Sequence, residues 1–150
     1  MRDFDRKLDE QGIEEATTMG RLMAARHLVP DVVICSTAAR AVETLQALST
    51  SLHLDDATRY DQNLYATDAP GYLEIAAATG SDGDVMLVGH NPMLEDAALA
   101  LSREGDEAAL DDLHMGFRTA ALAVIRFEGN AFDFATKTGF LETYLTPTDA

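Results

Sequence analysis

Residues 84–91 read Asp-Val-Met-Leu-Val-Gly-His-Asn and run directly into Pro92 and an amphipathic pattern, and the architecture of the chain turns on them. Val85 to Val88 form a short continuous apolar block ended by a glycine, the pattern of a strand buried on both faces of a sheet. His90 is thereby placed at the carboxyl end of a strand. Asn91 is a good helix N-cap and Pro92 a good first helical residue, so a helix carrying Met93, Leu94, Ala97, Ala98 and Leu101 is expected to begin at once. In open α/β sheets ligands bind beyond the carboxyl ends of strands, and a helix N-terminus offers N–H groups to an anion. The junction from Gly89 to Pro92 is therefore the expected site.

The same arrangement recurs upstream. Asp31 to Ser36 is a β-branched apolar block of strand length, and Ser36-Thr37 opens a helix through Ala41, Leu45, Leu48 and Leu52. Before it, Asp9 is positioned to cap a first helix in which Ile13, Ala16, Met19, Gly20, Met23 and Ala24 fall at helical spacing to about Leu28, with Pro30 closing it. Tyr60 and Leu64-Tyr65 read as short extended pieces, and Asp68 caps a third helix, Tyr72 to Ala78, ended by Gly80. Glu104 to Asp112 reads as a polar loop with a helical turn. Thr119 to Phe127 and Gly139 to Leu145 read as strands, with a Gly129-Asn130 turn between them. Strands alternating with helices predict a single α/β domain over residues 1–150, a three-layer sandwich with a mostly parallel sheet and helices on both faces.

Composition narrows the partners. With 150 residues and 47% hydrophobic content the chain can build a substantial core. No apolar window reaches transmembrane length and the amino terminus, Met1 to Asp5, has no apolar leader core, so a cytoplasmic protein is expected. Cys35 is the only cysteine, which excludes an internal disulfide framework and a cysteine-based zinc site. A net charge of −15 argues against nucleic acid and against an anionic membrane. It also means that a phosphate ligand would need a local cluster of donors to overcome the overall field.

The second strand end supplies such donors. Ser36 lies at the junction and Arg40 one turn into the helix, where a guanidinium can reach toward the strand ends and hold a phosphoryl group through two parallel hydrogen bonds. Arg40 alone would pass for a surface arginine and His90 alone for a loop histidine. Their shared sheet edge is what makes them a candidate pair.

These residues resemble a family. Asp5-Arg6-Lys7-Leu8 with Gly12, Pro30 to Ser36 with Arg40 and Thr44, Leu64-Tyr65, Val88-Gly89-His90-Asn91-Pro92 and Thr119 to Val124 together look like the SixA-type phosphatases of the histidine phosphatase superfamily, which share the phosphoglycerate mutase-like fold. The resemblance implies a phosphatase that uses neither metal nor cofactor. In that family a histidine of an Arg-His pair attacks phosphorus, giving a phosphohistidine enzyme that water then hydrolyses, while arginines hold the phosphoryl oxygens. By motif, Arg40 matches a phosphate-holding arginine and His90 the second histidine across the pocket. Ser36 and Asn91 flank them, and Arg6 is a further cation for the pocket mouth.

One departure is large. The family's Arg-His pair ends a first central strand that precedes the Asp-Arg-x-Leu segment, and Met1 stands only a few residues before Asp5. Arg26-His27 spells the dipeptide but falls at the end of the first helix, where relatives commonly carry a glycine, and is set aside; His53 and His114 have no strand-end context. Either the start is assigned too late, the preferred reading, or the protein is an inactive phosphate-binding relative serving as a binding module. A folded chain of this length is then expected to repair the gap by moving another strand inward or by pairing edges in a homodimer.

The middle segment bears on substrate. Relatives acting on phosphate monoesters carry a glutamate just after Leu-x as general acid, and here Leu64-Tyr65 is followed by Ala66. Imidazole leaves phosphorus with less protonation than an alkoxide needs, so the missing acid fits phosphohistidine. The resemblance therefore points to a phosphorylated protein, such as a His-containing phosphotransfer domain, with a small phosphorylated substrate as the alternative. Rivals fail on spacing: Cys35 and Arg40 are separated by four residues where a cysteine phosphatase loop needs five, no lysine is placed at a strand end as a receiver domain requires, and no glycine-rich nucleotide loop is present.

Overall fold

A computed structural model describes residues 1–128 and 139–150. Its elements in chain order are α1 (Glu10–Ala25), β1 (Val32–Cys35), α2 (Ala39–Leu48), β2 (Thr58–Tyr60), α3 (Asn63–Ala66), α4 (Ala69–Ala78), β3 (Val85–Val88), α5 (Met93–Leu101), β4 (Ser102–Gly105), α6 (Glu107–His114), β5 (Leu122–Arg126) and β6 (Gly139–Leu145). The fold is α/β, as the alternation of strands and helices predicts.

The first sheet is wholly parallel, in the order β2-β1-β3, and its centre is the strand that the β-branched block encodes. Successive side chains of a strand face opposite ways. Val33 and Cys35 accordingly pack into a cluster with Met19, Met23, Leu45 and Leu48 of α1 and α2, while Ile34 packs on the other face with Leu64, Tyr72 and Ala97. Helices thus cover both faces of β1, which is why its code is continuous rather than alternating. The second sheet, in the order β4-β6-β5, is mixed: β4 runs parallel to β6 and β5 antiparallel. Its core of Leu141 and Tyr144 is closed by Ala98 of α5 and by Ala109 and Leu113 of α6.

The expectation of one sheet is corrected. Among the described residues the two sheets share no hydrogen-bonded pair, and β3 and β5 are each an outer strand. Among the described residues no strand lies between them. β3 does face two clusters, with Met86 on one side and Leu87 on the other, but Val85 to Leu87 are only half-buried, short of the burial on both faces that their continuous apolar pattern predicts. The sheets are joined through side chains instead: Leu145 of β6 lies in the same buried cluster as Val33 and Val88, and Leu122 of β5 packs against it.

Boundaries follow local chemistry. Asp9 caps α1, its carboxylate accepting from the Gly12 N–H at 2.7 Å, and Asp68 caps α4 in the same way at 2.9 Å from Gly71 N. α1 stops at Ala25, before the expected Leu28, because His27 takes a left-handed turn (φ 57°) that a helix cannot continue. That is the conformation glycine adopts most readily, and it leaves the His27 ring exposed at a helix end. Gly20 lets α1 meet α2 closely, since a Cβ there would stand 2.6 Å from the Leu48 carbonyl oxygen.

Four expectations shift. α2 starts at Ala39, not Ser36, and ends at Leu48. Leu64-Tyr65 lie in the short helix α3 rather than in an extended piece. The polar segment from Glu104 begins with the last two residues of strand β4 and continues into helix α6, which Asp106 caps. β5 is shorter than Thr119–Phe127, β6 spans the expected Gly139–Leu145, and the Gly129-Asn130 turn lies outside the described residues.

Candidate active site

Register creates the site. Cys35 of β1 is aligned with Val88 of β3, so the two parallel strands end level, and the Ser36 N–H continues the ladder to Val88 O at 2.9 Å. The residues just beyond must then face one another. His90 Nε2 lies 2.8 Å from Ser36 Oγ. Ser36 is fully buried, and its hydroxyl also accepts from Ala38 N–H at 3.2 Å, so it shapes the turn into α2 rather than capping the helix from Ser36 itself.

His90 is held from below. Its N–H donates to the Tyr72 hydroxyl at 3.0 Å, and that hydroxyl donates to Leu64 O, tying β3, α4 and α3 together at one buried oxygen. Tyr72 is completely buried. Gly89 is required by the same contact, since a Cβ at that position would meet the Tyr72 hydroxyl at 2.6 Å. Burial, with a smaller contribution from the Arg40 charge, lowers the His90 pKa from its ordinary 6.5, so the ring is neutral at pH 7. The ring of Tyr65 stands edge-on to it, centroids 5.4 Å apart.

Arg40 is the second residue of α2, a helix whose first turn no side chain caps. Its guanidinium donates through Nη1 to the Asp3 backbone oxygen at 2.7 Å and through Nη2 to the Asp3 carboxylate at 3.1 Å. The same carboxylate accepts from Tyr65 OH at 2.8 Å and from Arg6 Nη2 at 3.3 Å. The Tyr65 hydrogen bond foremost, then Arg40, pull the Asp3 pKa below the usual carboxylate range, and the same bond raises the Tyr65 phenol. Thr37, in the turn before α2, keeps a buried hydroxyl oxygen with no partner among the described residues. Beside it a cavity of about 390 Å³ opens between Phe4, Asp5 and Lys7 on one side and Val42, Glu43 and Gln46 of α2 on the other.

Of the residues expected here, Ser36 and His90 are in contact, and Arg40 and Arg6 converge on Asp3. Asn91 departs from expectation: α5 begins at Met93 after a cis Asn91-Pro92 peptide, Pro92 and not Asn91 precedes its first turn, and no side chain caps it. The Asn91 amide is spent on Phe117 O at 2.9 Å. It fastens the loop before β5, which Glu95 also grips through the Phe117 N–H at 2.7 Å. Asp3, Tyr65 and Tyr72 were not assigned roles from sequence. Tyr65 belongs to the Leu64-Tyr65 motif, whereas local sequence offers Asp3 only Arg6, and the partners that make it part of the site, Arg40 and Tyr65, lie 37 and 62 residues away.

Other reactive groups are out of play. Cys35 is buried, its thiol pushed up to about 12 by burial and donating to backbone oxygens. No cluster of three or more histidine, cysteine or acidic side chains suited to a metal ion occurs among the described residues. Nor is any described helix long and apolar enough to cross a membrane.

No family model matches the chain. An uncharacterized protein of Mycobacterium tuberculosis is 35% identical over 135 residues, covering 87% of this chain and 82% of that protein. Among solved structures, the chain resembles a protein of Agrobacterium tumefaciens assigned as the phosphohistidine phosphatase SixA, with a TM-score of 0.80 and 34% identity over 98% of this chain and 87% of that one. A second structure, assigned as SixA from Nakamurella multipartitia, matches with a TM-score of 0.84 and 31% identity over 98% of this chain and 88% of that one. Likeness of that extent in both sequence and fold places the chain in the SixA-type family of the histidine phosphatase superfamily.

Proposed function

We propose that the β1–α2 and β3–α5 junctions form the phosphoryl pocket of a SixA-type phosphatase acting on phosphohistidine in a protein. The observation that carries this is the pairing of His90 Nε2 with Ser36 Oγ at 2.8 Å, within electrostatic reach of the Arg40 guanidinium, at the level ends of two parallel strands. Arg40 supplies a fixed fork of donors for the phosphoryl oxygens. His90, kept neutral by burial, faces the transferred group with a nitrogen whose proton Ser36 can share. Ala66, exposed at the end of α3, brings no acid to the pocket mouth, in keeping with an imidazole leaving group. In the family's reaction a histidine nitrogen forms a new P–N bond in line as the P–N bond to the substrate imidazole breaks, the imidazole leaving with a proton from water, and a second water then cleaves the phosphohistidine to release phosphate.

The nucleophile decides between this reading and a second. Of the four histidines only His90 lies at the strand ends; His27, His53 and His114 are exposed, and none contacts Arg40, Ser36 or His90. That favours, as the alternative, a phosphate-binding module without turnover. The test is to incubate the chain with a phosphohistidine-carrying phosphotransfer protein, following phosphate release and acid-labile phosphoenzyme, and to titrate inorganic phosphate in parallel. Turnover lost in Arg40→Ala and in His90→Ala supports the phosphatase. Binding lost in Arg40→Ala without turnover supports the module. Turnover abolished by His27→Ala, or neither binding nor turnover, refutes the pocket as drawn.

A further inference from the structure

The donors of the pocket already hold an anion, and it belongs to the chain. Asp3 opens a short 3-10 turn, Asp3–Asp5, laid against the start of α2. Both terminal nitrogens of Arg40 point at Asp3, one to its carbonyl and one to its carboxylate, and the Tyr65 hydroxyl and Arg6 complete the ring of donors. Two oxygens of one residue are thereby gathered on a planar fork and a phenol, and the third on Arg6, the kind of donor set that the oxygens of a phosphoryl group would use. Aromatic packing seats the segment: Phe4 meets Tyr65 edge-on at 5.1 Å, and Tyr65 meets His90 at 5.4 Å. The Asp3 carboxylate is nevertheless more than half exposed, so it can leave the donors for water, whereas the Arg40 side chain is largely covered and stays.

We propose that Asp3 is an internal competitor for the phosphoryl seat, and that Tyr65 is the second donor, after Arg40, to a phosphoryl oxygen once Asp3 has swung away. This rests on reading Arg40 as the residue that holds phosphate. The two anions cannot share the fork: a phosphoryl group brought to Arg40 would meet the carboxylate across the same donors, in a chain whose net charge of −15 already repels it. Occupancy by Asp3 therefore lowers the apparent affinity for phosphate by the fraction of molecules in which the seat is closed. It also gives the pocket a selectivity, since a ligand must outbid a monoanionic carboxylate, which a dianionic phosphoryl group does better than a carboxylate or a sulfate monoester.

The experiment is calorimetric titration of inorganic phosphate into the full chain, its Asp3→Asn and Asp3→Ala variants, Tyr65→Phe, the Asp3→Asn/Tyr65→Phe pair and Arg40→Ala. Asp5→Asn serves as a control, because Asp5 pairs with Arg2 and does not touch the seat. Both Asp3 variants are expected to bind phosphate roughly two- to fivefold more tightly than the parent, in line with releasing one exposed ion pair. Asp5→Asn should leave affinity unchanged, and Tyr65→Phe in the Asp3→Asn background should lose several-fold of the gain. Parent-like or weaker binding in both Asp3 variants overturns the competitor, and an unaltered affinity in the double variant overturns the role of Tyr65. If phosphate binds the parent but Arg40→Ala makes no difference, or if nothing binds in any variant, the phosphoryl seat itself falls together with the proposal.

Discussion

Replacing Tyr72 by phenylalanine removes a single oxygen from the most connected point beneath the site. That oxygen is fully buried, donates to Leu64 O and accepts from His90 N–H at 3.0 Å, so its loss strands two backbone groups that water cannot reach. The ring remains to fill the space, which separates the effect from cavity formation. An unsatisfied buried group costs about 1–3 kcal/mol, and partial relaxation of α3 toward the gap should keep the total near that range. For a chain of 150 residues that corresponds to a fall in Tm of roughly 3–10 °C. Urea denaturation followed by circular dichroism reads the change as a lower midpoint at constant slope. Since the lost bond also fixes the backbone of His90, phosphate affinity should fall alongside stability. A variant within about 0.5 kcal/mol of the parent, the spread of ordinary surface substitutions, would refute the view that Tyr72 anchors the junction.

Two further outcomes follow from the same geometry. The His90 pKa is lower in the folded chain than its ordinary 6.5, so the unfolded chain takes up the proton first on acidification; stability should be indifferent to this group above that value and decline as pH falls below it toward the folded pKa, and urea midpoints across that window should show a shallower decline in His90→Gln. Cys35, buried and with its thiol near 12, should resist iodoacetamide at pH 8 in the native chain and react at the ordinary thiolate rate once urea unfolds it; rapid native labelling would contradict its placement in the core.

The site combines rigid and displaceable parts. Ser36 and Tyr72 are locked in the interior and position His90, while Arg40 is anchored on the first turn of a ten-residue helix. Asp3 and Tyr65 lie toward solvent and are held by one another.

Much of this was legible from residue order. The β-branched block from Asp31 to Ser36 announced a strand, the Asp9 and Asp68 caps named two helix starts, and Ser36 and His90 were both placed just past strand ends, where the fold brings them into contact. These features depend on nearest neighbours along the chain, where side-chain period, capping geometry and strand ends are written locally. The same local signals misled at Ser36-Thr37 and at Asn91, because a good capping side chain can be drawn into another bond: Ser36 to His90, and Asn91 to Phe117 O across 26 residues.

Tertiary packing alone settled the rest. Whether β3 and β5 would share a sheet depends on which edges meet, and edge pairing is a long-range choice to which the period of either strand is indifferent. The occupation of Arg40 by Asp3, with Tyr65 closing the ring, joins three segments separated by 37 and 62 residues, and no spacing rule reaches that far. Backbone chemistry thus prescribed where the donors would stand, at the level ends of parallel strands. Only the folded chain determined what they hold, because the choice among competing anions is made by proximity in space and by the dielectric of the site, and neither is written in the order of residues.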